Sequence, residues 1–222
     1  GYNYSNLGLN LAGTILEKVS GVRFDKYVRD SVIHPLGLYG AHNVDMLDTT
    51  MFASIYTYRD GRYVKSSAYS SVAHRLPTYV MGYSAPMFSP TGGVKISPNH
   101  LAQYMMMHMN YGELNGVRII SEQSAREMQT PVWYIQNTHE WEDQYGLCLH
   151  EFVDFLEAEE YNQPGHYPVG HTGDALGLRS IMIWSPADGW GIVAMTNGYI
   201  YNPEKDILKT LANSIYNAAI AN

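Results

Sequence analysis

Tyr4 and, two residues on, Asn6 stand near the start of a 222-residue chain, and His171-Thr172-Gly173 stands far downstream. A phenol that can take a proton, an amide that can donate, and an imidazole on a strand are parts of an acyl-transfer site. A phenol normally ionises near pH 10, so Tyr4 would need cations around it to work near neutrality. His171 is a natural candidate for one of them. Two residues of separation bring the Tyr4 and Asn6 side chains toward one cleft only on non-helical backbone, because a helix would splay them by about 200°. The nucleophile of such a site is missing from the set. The lysines at 18, 26, 65, 95, 205 and 209 have Ile15, Arg23, Arg62, Gly92, Asn202 and Asp206 three places earlier, so no Ser-x-x-Lys occurs. A rival serine, Ser84, sits in Gly82-Tyr83-Ser84-Ala85-Pro86. That run falls short of the Gly-x-Ser-x-Gly elbow: its last residue is proline, no strong strand pattern precedes it and no helix pattern follows.

The elements that would hold these residues can be read from periodicity. Leu7, Leu11, Ile15 and Val19, with Leu16 beside them, make one apolar helical face. Gly21 is placed for a left-handed C-cap. Phe24 to Val32 reads as a second short helix, ended before His34-Pro35. Residues 41–91 read as irregular, with an Asp60-Gly61 turn signal. Ser97-Pro98 starts a helix, Ser as N-cap and Pro at the first helical position, that runs to about Asn110. Another begins near Ser121 and stops at Pro131. Tyr145 to Val153, Gly177 to Trp184 and Ile192 to Met195 read as strands, the last two joined by a hairpin at Pro186-Ala187-Asp188-Gly189. Glu204 to Ile220 is a closing amphipathic helix with Ile207, Leu208, Leu211, Ile215 and Ala219 on one face. Helices, then antiparallel strands, then a helix define an α+β fold, an antiparallel sheet flanked by helices.

Composition narrows the function classes. Hydrophobic residues make up 45% and charged residues 16%, which is globular rather than disordered. A net charge of −7 argues against a nucleic-acid partner, which would want a basic stripe. No apolar run approaches the roughly 20 residues that span a bilayer. A single Cys148 cannot form an internal disulfide. Histidines 34, 42, 74, 100, 108, 139 and 166 show no metal-ligand spacing, and His150-Glu151 with Asp154 lacks the second histidine of a zinc helix motif. The methionine run at 105, 106, 107 and 109 reads as helix core, Cys148 as a buried strand residue, and the acidic stretch from Glu151 to Glu160 as a solvated loop or hairpin tip.

Residues 2–38, Tyr-Asn-Tyr-Ser-Asn-Leu-Gly through Gly21 to His34-Pro35-Leu36-Gly37-Leu38, closely resemble the class C β-lactamase and penicillin-binding-protein family of serine hydrolases. Thr91-Gly92-Gly93 followed by Ser97 and a helix resembles its Gly-Gly segment. His171-Thr172-Gly173, then Gly177 and Ser180, resemble its third motif. The ordered set covers nearly the whole chain, as one β-lactamase-like domain over residues 1–222.

The resemblance implies a Ser-x-x-Lys segment before Gly1, so the chain is expected to be the C-terminal part of the domain and inactive alone. It implies Tyr4 as general base or proton relay, Asn6 as donor to the substrate's acyl side chain, and Thr172 as a hydroxyl for a substrate carboxylate or carbonyl. Gly173 would let substrate backbone lie close, and the N–H of Asp174 would be half of an oxyanion hole. Histidine at 171, where many β-lactamases of the family carry lysine, resembles the DD-peptidase and esterase branches. The Asp174 carboxylate would repel developing negative charge unless it points away. The expected substrate is a small molecule or peptide bearing an amide or ester, with no metal or organic cofactor. Family resemblance suggests an exported or periplasmic setting. The missing sheet strands would leave an exposed edge and so dimerisation or strand exchange. The alternatives are a non-catalytic binding or scaffold module on the same fold, and an α/β-hydrolase using Ser84, for which a parallel sheet would speak.

Overall fold

The computed structural model describes residues 4–133, 144–200, 202 and 205–221. Among these are helices α1 Asn6–Ser20, α2 Phe24–Val28, α3 Pro98–Met109, α4 Glu122–Gln129 and α5 Ile207–Ala219. The strands are β1 Gly40–Ala41, β2 Tyr56–Arg59, β3 Arg62–Lys65, β4 Lys95–Ile96, β5 Glu113–Leu114, β6 Val117–Arg118, β7 Gln144–Tyr145, β8 His150–Glu151, β9 Val169–Ala175, β10 Leu178–Trp184 and β11 Gly191–Thr196. They fall into two compact units, Gly1–Ser54 with Ser67–His100, and Ile55–Ser66 with Leu101–Asn222.

In the first unit α1 ends as expected, with Gly21 at φ 68° donating to Glu17 O. Its buried side is different from the periodic one. Leu7, Leu11, Ile15 and Val19 are 51–81% exposed, whereas Gly13 and Glu17 are buried. Two local demands turn the helix that way. A Cβ on Gly13 would stand 2.5 Å from Pro90 Cγ, so only glycine lets that loop approach. The Glu17 carboxylate accepts from Phe24 N (2.8 Å), Gly82 N (2.8 Å) and the Tyr79 hydroxyl, tying α1 to α2 and to the 79–82 loop. Phe24, Ala85 and Phe88 form the apolar centre beneath. The second helix is α2 extended by one π-type turn, Arg29–Ile33, before His34-Pro35. Beside it Asp25 is buried between Arg23 (2.6 Å) and Asn43 (3.0 Å).

In the second unit five antiparallel strands lie in the order β11-β10-β9-β8-β7. One cluster, with Ile181, Ile183 and Ile192, includes Leu208, Ala212 and Tyr216 of α5. Another, with Met182 and Trp184, includes Met105 of α3. The α5 face is rotated by a residue from the expected one: Leu208, Ala212 and Tyr216 are its centre, and Ala219 is exposed. Met105 and Met107 are buried as expected, but Met106 is 46% exposed. The Pro186–Gly189 hairpin closes as expected, Ser185 N donating to Trp190 O (2.9 Å).

Four further expectations are corrected. The irregular span contains the β2–β3 hairpin, whose Asp60 and Gly61 take φ 49° and 79°. Tyr145 to Val153 is two two-residue strands, because Gly146 to Leu149 form a turn. Cys148 lies in that turn, exposed, at φ 63°. The acidic stretch is more than a solvated tip: Phe152, Phe155 and Leu156 anchor it in the core, and Glu160 accepts from Tyr216 Oη (2.9 Å). No metal-binding group of histidines, cysteines and carboxylates exists among the described residues, outside which His139 lies.

Burial decides two titrations. His42 and His108 are both pushed down to about 4, largely by loss of water around the ring. Their folded pKa lies below the unfolded value of 6.5, so the unfolded chain binds the proton first. Stability is therefore full above about 6.5 and falls as the pH drops toward 4, by at most about 3 kcal/mol per histidine. Glu151, raised to about 6 by burial, acts oppositely between 6 and 4.5 and offsets part of the loss. Urea midpoints should fall between pH 7 and pH 5, and by less in His108→Phe; equal falls in both would exclude His108 as a contributor. Glu17→Ala, which strands two buried N–H groups, should cost roughly 2–4 kcal/mol by denaturant melts. A cost under about 0.5 kcal/mol would show that water replaces the carboxylate.

Candidate active site

Tyr4 and Asn6 belong to the first unit, and His171 to Asp174 to the second. Ser5 between the first pair is extended, φ −140° and ψ 112°, and Asn6 is the first helical residue. An extended intervening residue sends its two neighbours' side chains to the same side, the condition that a helix would have broken. Both residues are exposed.

In the second unit His171 sits on β9 opposite Met182 of β10. Its Nδ1 is 2.5 Å from the Thr172 carbonyl oxygen. A carbonyl only accepts, so Nδ1 carries the hydrogen and the neutral ring keeps its lone pair on Nε2. His150 of β8 packs edge-on against this ring, centroids 4.9 Å apart, and Tyr145 packs against His150 at 4.5 Å.

Parity along the sheet sets which backbone groups of β9 face outward. Arg179 N donates to Thr196 Oγ1 (3.2 Å), so the main-chain groups of Arg179 point toward β11. Asp174 and Arg179 are therefore a non-hydrogen-bonded pair, and the Asp174 amide is directed away from β10. Phe152 N bonding Pro168 O (2.8 Å), at the same parity on that side, agrees. On that side β8 pairs only with Val169 and Gly170. From His171 onward, among the described residues, this edge of β9 has no strand beside it.

The Asp174 carboxylate is held. Arg179 Nη1 bonds Oδ2 at 2.6 Å, and Tyr199 Oη stands 3.4 Å from both carboxylate oxygens. Arg179 Nη2 is also 3.6 Å from Asp206 Oδ1, and the guanidinium lies 5.3 Å from the Tyr199 ring centroid. Burial works to lower the Arg179 pKa, but the Asp174 bond and the charges of Asp174 and Asp206 outweigh it and raise it. Arg179, Tyr199 and His150 were missed in the sequence. Arg179 could have been found: Leu176 and Gly177, at φ 55° and 93°, form a two-residue turn that sets residue 174 opposite 179. Taking Gly177 into the strand hid that register.

The two glycines of the motifs differ. A Cβ on Gly93 would meet the Phe88 carbonyl oxygen at 2.6 Å, a backbone clash. On Gly173 it would meet only the Ser180 hydroxyl oxygen at 2.5 Å, which can rotate aside. The rival Ser84 precedes a short 3-10 turn, Ala85–Phe88, and its Oγ accepts from Val80 N (3.0 Å). No strand leads into it, and the five-stranded sheet is antiparallel throughout, so the α/β-hydrolase alternative is not met.

An antiparallel five-stranded sheet, with α5 packed on β10 and β11 and a His-Thr-Gly strand end opening at one edge, defines an α+β protein of the β-lactamase/transpeptidase type. The family model for Beta-lactamase matches residues 1–217, and the chain belongs to that family of serine hydrolases. Among solved structures it is similar to the octameric penicillin-binding protein homologue from Pyrococcus abyssi (TM-score 0.68, 23% identity, 96% of this chain and 42% of that one). It is similar to a class C β-lactamase (TM-score 0.65, 17%, 99% and 58%). It is also similar to the D-amino acid amidase from Ochrobactrum anthropi SV3 complexed with L-phenylalanine amide (TM-score 0.68, 18%, 97% and 55%). A curated relative, β-lactamase-like protein 2 of Dictyostelium discoideum, is 24% identical over 153 residues, 68% of this chain and 24% of the relative. The chain thus spans a quarter of that relative and about half of these structures. No described helix is long and apolar enough to cross a membrane.

Gly93→Ala should destabilise by more than about 2 kcal/mol, whereas Gly173→Ala should stay within about 1 kcal/mol of wild type. Thermal or urea melts decide it; equal costs at the two positions would mean that β9 itself demands glycine at 173.

Proposed function

We propose that these residues form the base, donor and oxyanion side of a serine hydrolase that cleaves an amide or ester through an acyl-enzyme, in the manner of DD-peptidases, esterases and β-lactamases. The observation that carries this reading is the Asp174 amide aimed out of β9 at an edge with no strand beside it among the described residues, next to a histidine whose Nδ1 meets the Thr172 carbonyl. A donor so placed suits a developing oxyanion, for which one N–H is worth about 100- to 1000-fold in rate. Tyr4 takes the nucleophile's proton, Asn6 donates to the acyl side chain, Thr172 binds a carboxylate or carbonyl, and Gly173 leaves room for substrate backbone. One family model runs across the residues of both units. The amidase and penicillin-binding-protein neighbours favour an amide of a small peptide or amino acid as substrate.

The reading assigns the nucleophile to a Ser-x-x-Lys that these 222 residues do not contain. The 222-residue chain should therefore form no covalent adduct with a fluorescent penicillin or a fluorophosphonate. Polypeptide carrying a Ser-x-x-Lys N-terminal to Gly1 should label on that serine, and Tyr4→Phe should slow this about 100-fold or more. Labelling of Ser84 in the 222-residue chain would sink the assignment. Absence of a Ser-x-x-Lys upstream would favour the alternative, a non-catalytic binding or scaffold module.

Association with a second chain is also proposed. β11 pairs with β10 alone among the described residues, and Gly-Ile-Val-Ala-Met-Thr carries no charge and no proline to discourage pairing. Light scattering of the 222-residue chain should report a dimer or larger species; a clean monomer at high concentration would refute strand pairing.

A further inference from the structure

We propose that Arg179 is a positioning residue for the oxyanion donor: it holds and electrically quenches the Asp174 carboxylate so that the Asp174 N–H can donate to an anion. The inference rests on the acyl-transfer reading above.

The geometry makes the problem explicit. The same residue supplies the outward-facing amide and a carboxylate. With its charge unopposed, that carboxylate would raise the energy of any anion bound at the amide a few bonds away. Non-hydrogen-bonded cross-strand neighbours bring their side chains closest, and here the neighbour is arginine. The bond is short, 2.6 Å, and the arginine side chain is 20% exposed against 52% for the aspartate, so the cation lies beneath the carboxylate rather than out in solvent. The guanidinium is itself located by Asp206, the N-cap of α5 that accepts from Leu208 N (2.7 Å), and by the Tyr199 ring. The Arg179 main chain is fixed by Thr196. Asp206 and Tyr199 therefore locate the guanidinium, and Thr196 the main chain that carries it, against the carboxylate of the residue whose amide faces the edge with no described strand beside it.

The test uses the 222-residue chain and an anionic probe, phenylphosphonate, followed by amide chemical shifts of Gly173 and Asp174 in a nitrogen-15 titration. Wild type should show saturable shifts at Asp174. Arg179→Met should weaken binding at least tenfold, and Arg179→Lys by less. Asp174→Asn should bind as well as wild type or better. The double variant Arg179→Met with Asp174→Asn should return to within threefold of wild type, because no carboxylate is left to quench. A double variant as weak as Arg179→Met would overturn the proposal: arginine would then be contacting the anion itself or only supporting the strand. Thermal melts of each variant separate unfolding from lost binding, and a variant that unfolds is read instead through Arg179→Lys and Asp174→Asn. If wild type and Asp174→Asn both leave the residue-174 amide unmoved, the amide is no anion donor; the acyl-transfer reading then fails, and this inference with it.

Discussion

Hydrogen-bond parity along β9 is the constraint on which the site depends. An antiparallel strand alternates its amides between two neighbours, so a slip of one residue would send the Asp174 N–H into the ladder with β10 and turn the Thr172 and His171 side chains to opposite faces. The slip is opposed from several directions. Trp184, Ile183 and Ile181 of β10 are almost fully buried, two clusters claim alternate residues of the strand, and Leu176-Gly177 closes the hairpin without slack. Register is thus specified by apolar burial, which is non-directional but large, while the polar groups at the strand end inherit their directions from it.

The first unit reaches order by another route. Its centre is a carboxylate, Glu17, buried at 1% exposure and bonded to α2, to the 79–82 loop and to Tyr79. A buried charge is tolerable only when its lone pairs are occupied, and three donors occupy them. The same choice sends Leu7, Leu11, Ile15 and Val19 outward. A line of four aliphatic residues on the surface is unusual for a helix whose opposite side is polar, and it follows from Glu17 and Gly13 winning the inward face. The start of this helix carries Asn6 and, one extended residue earlier, Tyr4, so the orientation of α1 within its own unit fixes the direction in which both point.

Most of the fold was legible because local signals agreed with tertiary ones. Ser97-Pro98, Gly21 and Asp188-Gly189 are start, stop and turn signals whose chemistry does not depend on distant residues, and each acts as expected. The misreadings share a cause. Periodicity counts apolar residues and cannot see that a glutamate will gather three donors from beyond its own helix, or that Asn213 will claim the Phe155 carbonyl and the Glu157 amide and shift the face of α5 by one position. The β2–β3 hairpin was hidden because its residues are exposed on both faces, so no alternation marks it. In the site, motif residues announced themselves by type. Their partners did not: Arg179 and His150 matter only through the register that places them beside Asp174 and His171.

Histidine at 171 changes what the strand end can offer. A lysine there would be a point charge on a flexible stem, cationic throughout the neutral range. The imidazole is instead clamped by its own strand, Nδ1 against the Thr172 carbonyl, and walled on one side by the edge of His150. That clamp takes up one nitrogen as a donor and leaves the other as the ring's acceptor. With Asp174 paired to Arg179, the stretch of β9 that has no strand beside it among the described residues then presents an amide donor and a ring nitrogen without a permanent net charge of its own. Such an edge meets negative charge with a directed donor and no uncompensated carboxylate opposing it, whether that charge arrives on a bound anion or develops during a reaction.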